Sequence, residues 1–330
     1  GDRFINTTSG ELFVATDVTA GENVWKGQLG SSVEPATWFG GRMLLWGGYT
    51  SPGLTDVIEY IAIATTGNAT DFGDATFAGR FRTGTSDGSR GVMGPGGETS
   101  TKVTTIDYVT ISTLGDAADF GDATEESNHT GGALSNGTRG VWGNRNRTGG
   151  GQTDTMDFII IQSLGNATDF GDSTTTKLNS GTASNGTRGC WEGGSSNADG
   201  YANVIDYVII ASVGNASDFG DLTTSDNYRA GTSNGTRGVI GGGSDASAAA
   251  NEINYFTIAS TGNATDFGDL TVARTTYSDC ADCNGTRACF GPGEQDTDMI
   301  DYITVASTGN ATDFGDTSIA AYSKGACSGD

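Results

Sequence analysis

A unit of about 48 residues recurs six times, and any fold for this chain has to accommodate six copies of one element set. Its most constant block is Gly67-Asn68-Ala69-Thr70-Asp71-Phe72-Gly73-Asp74. The phenylalanine returns as Phe120, Phe170, Phe219, Phe267 and Phe314, at spacings of 48, 50, 49, 48 and 47. A second block precedes it, Ile58-Glu59-Tyr60-Ile61-Ala62-Ile63, with later copies starting at Ile106, Met156, Ile205, Ile253 and Ile300. A third, Asn-Gly-Thr-Arg followed by small and apolar residues, carries Arg90, Arg139, Arg188, Arg237 and Arg287, with Arg42 as a looser sixth member.

Each unit is rich in β-branched and aromatic residues broken by Gly and Asn turns, which favours strands. No stretch sustains a 3.6-residue apolar stripe. Several short strands per 48-residue unit fit a β-propeller blade. The block 205–210 is apolar at nearly every position, which suits a strand packed by neighbouring blades on both faces. Composition alone suggests something else. With 54 glycines in 330 residues, 35% hydrophobic residues and a net charge of −23, it resembles a flexible acidic chain. The periodicity overrides that reading. The charge does exclude nucleic acid as a partner, since phosphate neutralisation needs Lys and Arg. No apolar run approaches the ~18 residues of a membrane-spanning helix, so no membrane insertion is expected. The chain begins at Gly1 rather than Met, with no signal-peptide pattern, so an upstream portion is expected to be missing.

In Gly238-Val239-Ile240-Gly241-Gly242-Gly243, then Ile253-Asn254-Tyr255-Phe256, then Phe267-Gly268-Asp269-Leu270 and Arg274, the unit resembles the kelch repeat family. It departs from kelch in placing Phe where Trp is usual. The resemblance implies an all-β, six-bladed kelch-like propeller closed by a C-terminal strand. Residues 319–330 would be the innermost strand of the first blade, because nothing follows them and an open ring would expose sheet edges. The competing register uses residues 34–39 for that strand. The expected domains are an N-terminal β segment, 1–35, and the propeller, 36–330. The first fourteen residues, Gly1-Asp2-Arg3-Phe4-Ile5-Asn6-Thr7-Thr8-Ser9-Gly10-Glu11-Leu12-Phe13-Val14, are similar to a small β motif of phage tail and fibre proteins. The Asn-Ala-Thr-Asp-Phe-Gly-Asp arrays also resemble propellers of marine phage structural proteins. Together these imply a virion component.

A sixfold Asp-Phe-Gly argues for architecture, with Phe72, Phe120, Phe170, Phe219, Phe267 and Phe314 as wedges between blades and the aspartate as a turn cap. Asn68, Asp71 and Asp74 offer hard oxygens three residues apart, so Ca²⁺ is the one cofactor considered. Solvated Asx turns are the preferred reading. The ring of Arg42, Arg90, Arg139, Arg188, Arg237 and Arg287 is expected to pair with acids of the tyrosine-bearing strand. Those acids are Glu59, Asp107, Asp157, Asp206 and Asp301, with Asn254 the exception. Cys190 and Cys289 replace valine and read as buried fillers. Cys327 aligns with Cys283 and is a candidate to bridge Cys280 or Cys283. The sequons at Asn68, Asn136, Asn185 and Asn263 read as turn chemistry.

Alternating strand direction puts the near-constant Ser-Asn-Gly-Thr and Gly-Asn-Ala-Thr turns on one face. The loops 49–56, 95–105, 144–155, 194–204, 243–252 and 292–298 lie on the other, and they differ in every unit. Recognition is expected on that variable face, with Tyr49, Trp142, Arg145, Arg147, Trp191 and Tyr201 as candidate binding residues. The bland alternative is loop drift. No Ser-His-Asp, Cys-His or phosphate-loop constellation is present, so no catalytic residue is expected. The leading expectation is a non-enzymatic virion protein, extracellular and part of an oligomeric assembly. It would be a tail fibre or surface appendage that binds a host-surface glycan or protein, or docks other virion proteins. A secreted carbohydrate-binding propeller and a propeller hydrolase or lyase are the alternatives.

Overall fold

A computed structural model describes residues 40–51, 53–97, 103–147, 151–196, 200–245, 247–295 and 298–329, and the backbone of three N-terminal strands. The chain divides into two compact units, Gly1–Thr37 and Trp38–Asp330. In the first, Arg3–Ile5, Leu12–Asp17 and Val24–Gly27 form an antiparallel three-stranded sheet. The hairpin pairs Phe4 with Phe13 and Ile5 with Leu12.

The second unit is a ring of six antiparallel sheets, all β. The strands of each blade are named a to d from the axis outward. Blade 1 is Gly325–Gly329, Arg42–Trp46, Val57–Ala62 and Thr70–Asp74; blade 2 is Gly84–Ser86, Arg90–Met93, Val103–Thr110 and Ala118–Ser127. Blade 3 is Thr130–Ser135, Arg139–Arg147, Thr155–Ile160 and Thr168–Asp172; blade 4 is Gly181–Ser184, Arg188–Glu192, Val204–Ile209 and Ser217–Asp221. Blade 5 is Ala230–Ser233, Arg237–Gly241, Glu252–Thr257 and Thr265–Asp269; blade 6 is Ala281–Cys283, Arg287–Phe290, Met299–Thr304 and Thr312–Asp316. The C-terminal strand closes the ring, with Gly325 opposite Trp46 and Gly329 opposite Arg42. It occupies the edge that the competing register assigned to residues 34–39, which lie outside the described residues.

The apolar core is divided into six clusters, each at the junction of two neighbouring blades. Phe72 of blade 1 packs with Val109 and Ile111 of blade 2 in one of them. The six repeated phenylalanines are all buried. They serve as the expected wedges.

The constant block has a mechanical explanation. Strand d is the outer edge of each blade, and an unpaired edge invites aggregation. The next blade's c–d turn covers it. Gly115 N donates to Phe72 O (2.8 Å) and Ala117 N to Asp74 O (2.7 Å). The same pair of bonds recurs at all six junctions. Close approach requires the glycine of Asp-Phe-Gly. A Cβ on Gly73, which sits at φ 151°, would lie 2.4 Å from the Gly115 carbonyl oxygen. Asn68 Oδ1 accepts from Asp316 N at 3.2 Å, and Asn166, Asn215, Asn263 and Asn310 repeat that contact. Asn68 is therefore turned to a neighbouring strand and does not converge with the exposed Asp71 and Asp74. Among the described residues no group of three His, Cys, Asp or Glu side chains could hold a metal. Mutual repulsion with Asp56, Asp116 and Asp71 adds to desolvation in raising the Asp74 pKa.

The expected arginine–carboxylate ring is replaced by two separate rings. Arg42, Arg90, Arg139, Arg188, Arg237 and Arg287 donate to backbone carbonyls of the next blade. These are Ile111, Ile161, Ile210, Ile258, Val305 and Ile63, at 2.8–3.1 Å. Each guanidinium also lies over its own blade's strand c ring, as Arg287 does over Tyr302 at 4.2 Å. The strand c acids instead pair with a second, buried set of cations: Asp107 with Arg82 (3.0 Å), Asp206 with Lys177 (3.0 Å), Asp301 with Arg274 (2.6 Å) and Glu59 with Lys324 (2.7 Å). Asp157 pairs with Arg145. In blade 5, where Asn254 replaces the acid, Arg229 takes Asp226. Each strand c acid also accepts from a hydroxyl of the preceding blade, such as Thr76 to Asp107 and Thr271 to Asp301.

The five cysteines are all free and buried. The register sets Ser328, not Cys327, in the place of Cys283. Cys280, Cys283 and Cys327 fall at three different blade junctions, which explains why the expected bridge is not formed. The Asn-Gly-Thr sequons are Asx turns. Asn136 Oδ1, for example, accepts from Thr138 N and Arg139 N at 3.0 and 2.7 Å.

Candidate functional site: an aromatic cage over the axis

The six a strands line a narrow axial channel with small residues, leaving a cavity of about 60 Å³, room for little more than water. Towards the constant face it is ringed by hydroxyls that bond in one rotational sense. Ser135 Oγ donates to Ser86 O (2.6 Å), Ser184 Oγ to Ser135 O (3.0 Å), Ser233 Oγ to Ser184 O (2.5 Å) and Ser328 Oγ to Cys283 O (3.4 Å). Ser86 Oγ donates to Ser328 O. Cys283 stands where a sixth serine would complete the collar.

Sixfold symmetry fails in blade 6. From the left-handed residue of the d–a connection to the collar position there are five residues in blades 1, 2, 4 and 5 (Ser323 to Ser328, Phe81 to Ser86, Asn179 to Ser184, Tyr228 to Ser233). From Tyr277 to Cys283 there are six. The extra residue is taken up in a tight turn closed by Cys280 N to Ser278 O (2.8 Å). Asp279, at its apex, is thrown across the axis. Its carboxyl accepts from Gly231 N of blade 5 (2.7 Å) and from Thr182 Oγ1 of blade 4. Burial, only partly offset by these bonds, pushes the Asp279 pKa up to about 8. Burial also pushes Asp282 up to about 6. It raises Glu192 too, with Asp279 adding repulsion and Lys177 and Arg229 opposing. Both carboxyl oxygens of Glu192 lack a hydrogen-bond partner.

The folded protein thus holds protons that the unfolded chain releases above about pH 4, where an unperturbed carboxyl titrates. The sign follows from linkage. Stability is greatest below that range and falls as pH rises towards 8. A melting temperature higher at pH 5 than at pH 8 is expected, and Asp279→Asn should flatten the trend. Melting curves of both proteins across that range check it; an unchanged slope in Asp279→Asn would clear Asp279 of the effect.

On the variable face, the d–a connections bring aromatic side chains together over the channel mouth. Phe81, Tyr228 and Tyr277 have φ of 58°, 58° and 62°. A left-handed backbone costs a non-glycine residue on the order of 1–3 kcal/mol, and such strain collects at functional sites. Tyr277 meets rings from three other connections or blades: Tyr228 at 4.4 Å, Tyr322 at 5.6 Å and Phe81 at 6.1 Å. Tyr322 continues to Tyr49 at 5.5 Å. Arg80 closes the circuit, its guanidinium 4.8 Å from the Tyr49 ring and 4.5 Å from Phe81. His129 stacks on Phe81 at 3.6 Å, and the Tyr277 hydroxyl donates to Glu294 (2.7 Å). Arg80, Tyr49, Tyr228, Tyr277 and Tyr322 are half-buried, so they present ring faces and polar edges to solvent. Backbone bonds between connections hold the frame: Tyr49 N to Tyr322 O (2.8 Å) and Tyr228 N to Asn179 O (3.1 Å). Burial, then the Glu294 carboxylate, raises the Tyr277 pKa strongly, so its hydroxyl stays a donor.

Of the candidate binding residues, Tyr49 belongs to this cage. Tyr201 is exposed on the same face, beside Ser195 in a two-residue ribbon. Trp142 and Trp191 are corrected: both are fully buried between blades, and each indole N–H donates 3.0 Å to a backbone carbonyl of the preceding blade, Thr83 and Gly132. Arg145 is corrected too, since it is buried against Asp157. Arg147 ends strand b of blade 3, and its side chain lies outside the described residues. Phe81, Tyr228, Tyr277, Tyr322 and Arg80 were missed. The usable signal was positional: aromatics recur five or six residues before the collar position in four of the six units.

The fold and the cage define a class, a six-bladed β-propeller with an aromatic site over its axis on the variable face. No protein-family model and no curated protein matches the chain.

Proposed function

We propose that this is a non-enzymatic recognition propeller, carried on a phage virion as a fibre tip or surface appendage, whose aromatic cage binds a host-surface glycan. The cage carries the reading. Exposed ring faces on a rigid, strained frame suit the flat C–H faces of a sugar, and Glu294 and the tyrosine hydroxyls offer hydrogen bonds at its edge. The similarity of residues 1–14 to a phage fibre motif supports the virion placement. Glycan-array screening followed by titration calorimetry is expected to find saccharide ligands. Tyr277→Ala should weaken them on the order of ten- to a hundredfold, as removal of a central aromatic anchor does. An array blank for every glycan would defeat the glycan reading. Purified virions lacking the chain would defeat the placement. The channel carboxyl Asp279 and Glu192 of strand b in blade 4 are buried in the propeller, which supports binding over hydrolysis. Bound oligosaccharide is therefore expected to be recovered uncut.

A further inference from the structure

The cage contains one cation whose situation differs from every other described basic side chain. Twelve of the thirteen described arginine and lysine side chains donate to a carboxylate or a backbone carbonyl. Six are in the carbonyl ring and six are in buried ion pairs. The thirteenth, Arg80, makes neither kind of bond, and its buried Nε has no hydrogen-bond partner. Among the described residues its contacts are with ring faces, Tyr49 at 4.8 Å and Phe81 at 4.5 Å from the guanidinium carbon. In a chain with 40 acidic and 17 basic residues, an arginine left without a carboxylate is a conspicuous vacancy in the pairing scheme. The ring contacts hold the guanidinium in the cage and leave its N–H fork without a carboxylate. A planar, preoriented fork is the geometry that receives a carboxylate through two parallel bonds.

We infer that the cage is selective for an acidic saccharide, with Arg80 receiving the sugar carboxylate while Tyr277 and Tyr322 stack on the ring. This rests on the glycan reading above and narrows it. The net negative charge does not oppose it at this range. The repeated Asp71-type carboxylates project from strand d near the constant-face turns, and salt screens exposed charges beyond about 8 Å. Within the cage the charges are Arg80 and the Glu294 already bonded to Tyr277. A neutral sugar would leave the Arg80 fork unmatched, and an amine-bearing one would meet it with like charge.

The experiment titrates 3′-sialyllactose, trigalacturonate, lactose and galactotriose into wild-type protein, Arg80→Gln and Arg80→Lys by calorimetry. The expected result is that at least one acidic probe binds tenfold or more tighter than its neutral counterpart. Arg80→Gln should remove that margin, bringing acidic and neutral probes to within about twofold of each other, and Arg80→Lys should restore only part of it. Comparison of the two acidic probes separates a sialate-type from a uronate-type ligand. Equal affinity for acidic and neutral sugars would overturn the selectivity and leave the glycan reading standing. Binding of none of the four, with an array blank for every glycan, would overturn both. If Arg80→Gln does not fold, as a melting curve would show, the wild-type comparison alone decides.

Discussion

Removal of residues 324–330 is expected to abolish the cooperative fold rather than trim it. That segment supplies the innermost strand of blade 1, Gly325–Gly329. It also supplies Lys324, the buried partner of Glu59 at 2.7 Å. Ala326 sits in the core cluster between blades 6 and 1, and Cys327 in the cluster between blades 1 and 2. Without them the edge of Arg42–Trp46 is unpaired, two core clusters open and Glu59 is left charged in the interior. A bare edge beside exposed apolar surface is an aggregation template. The truncated chain should therefore elute as aggregate in size-exclusion chromatography and show no single melting transition by circular dichroism. A monomeric truncation with a wild-type melt would contradict the closure argument.

The second large effect concerns the buried ion pairs. Arg274→Ala leaves Asp301 without its cation in a fully buried site. Stranding a buried charge costs on the order of 3–5 kcal/mol, roughly 5–8 °C in melting temperature for a domain of this size. The ring arginines are a control from the same protein. Arg287→Ala removes a half-buried contact with the Ile63 carbonyl and the Tyr302 ring, and should cost about 1–2 kcal/mol. Replacing both Arg274 and Asp301 by apolar residues of similar volume is expected to recover much of the loss, because the pair itself had to be desolvated. Thermal denaturation of the three variants checks the order. Equal losses for Arg274→Ala and Arg287→Ala would remove the distinction between the two rings.

Much of this architecture could be read from the repeats. Blade number, closure and the division into constant and variable faces follow from spacing and strand direction, both of which survive substitution. Roles that depend on side-chain direction did not come through. Trp142 stands two residues from a variable loop, yet strand alternation aims it at blade 2. The arginines and the strand c acids share a period, which suggested pairing. However, the arginine side chains reach the end of the next blade's strand c at the constant face, while the acids turn to cations from the d–a connections or, in blade 3, from strand b. The cage was hidden for a different reason. Its members come from separate units and recur in only four of the six, at an offset that varies by one residue, so only the closed ring brings Tyr49, Phe81, Tyr277 and Tyr322 together. The single extra residue before Cys283 carries no signature of its own among repeats of 47 to 50 residues. Its effect, a buried carboxyl laid across the axis to Gly231 and Thr182, depends on what lies opposite.

Closure by the last strand also decides how the disc can be mounted. The polypeptide enters the ring at Gly40 and completes it at Gly329, and these two glycines lie in direct contact beside the constant-face turns. A tether attached directly at Gly40 or at Gly329 would therefore hold the propeller by its back, with the cage facing outward. Because Gly40 and Gly329 meet, the ring from 40 to 329 taken by itself has no intrinsic starting point. The ends can be joined and a new pair cut in another constant-face turn, leaving the same disc held at a different point on its rim.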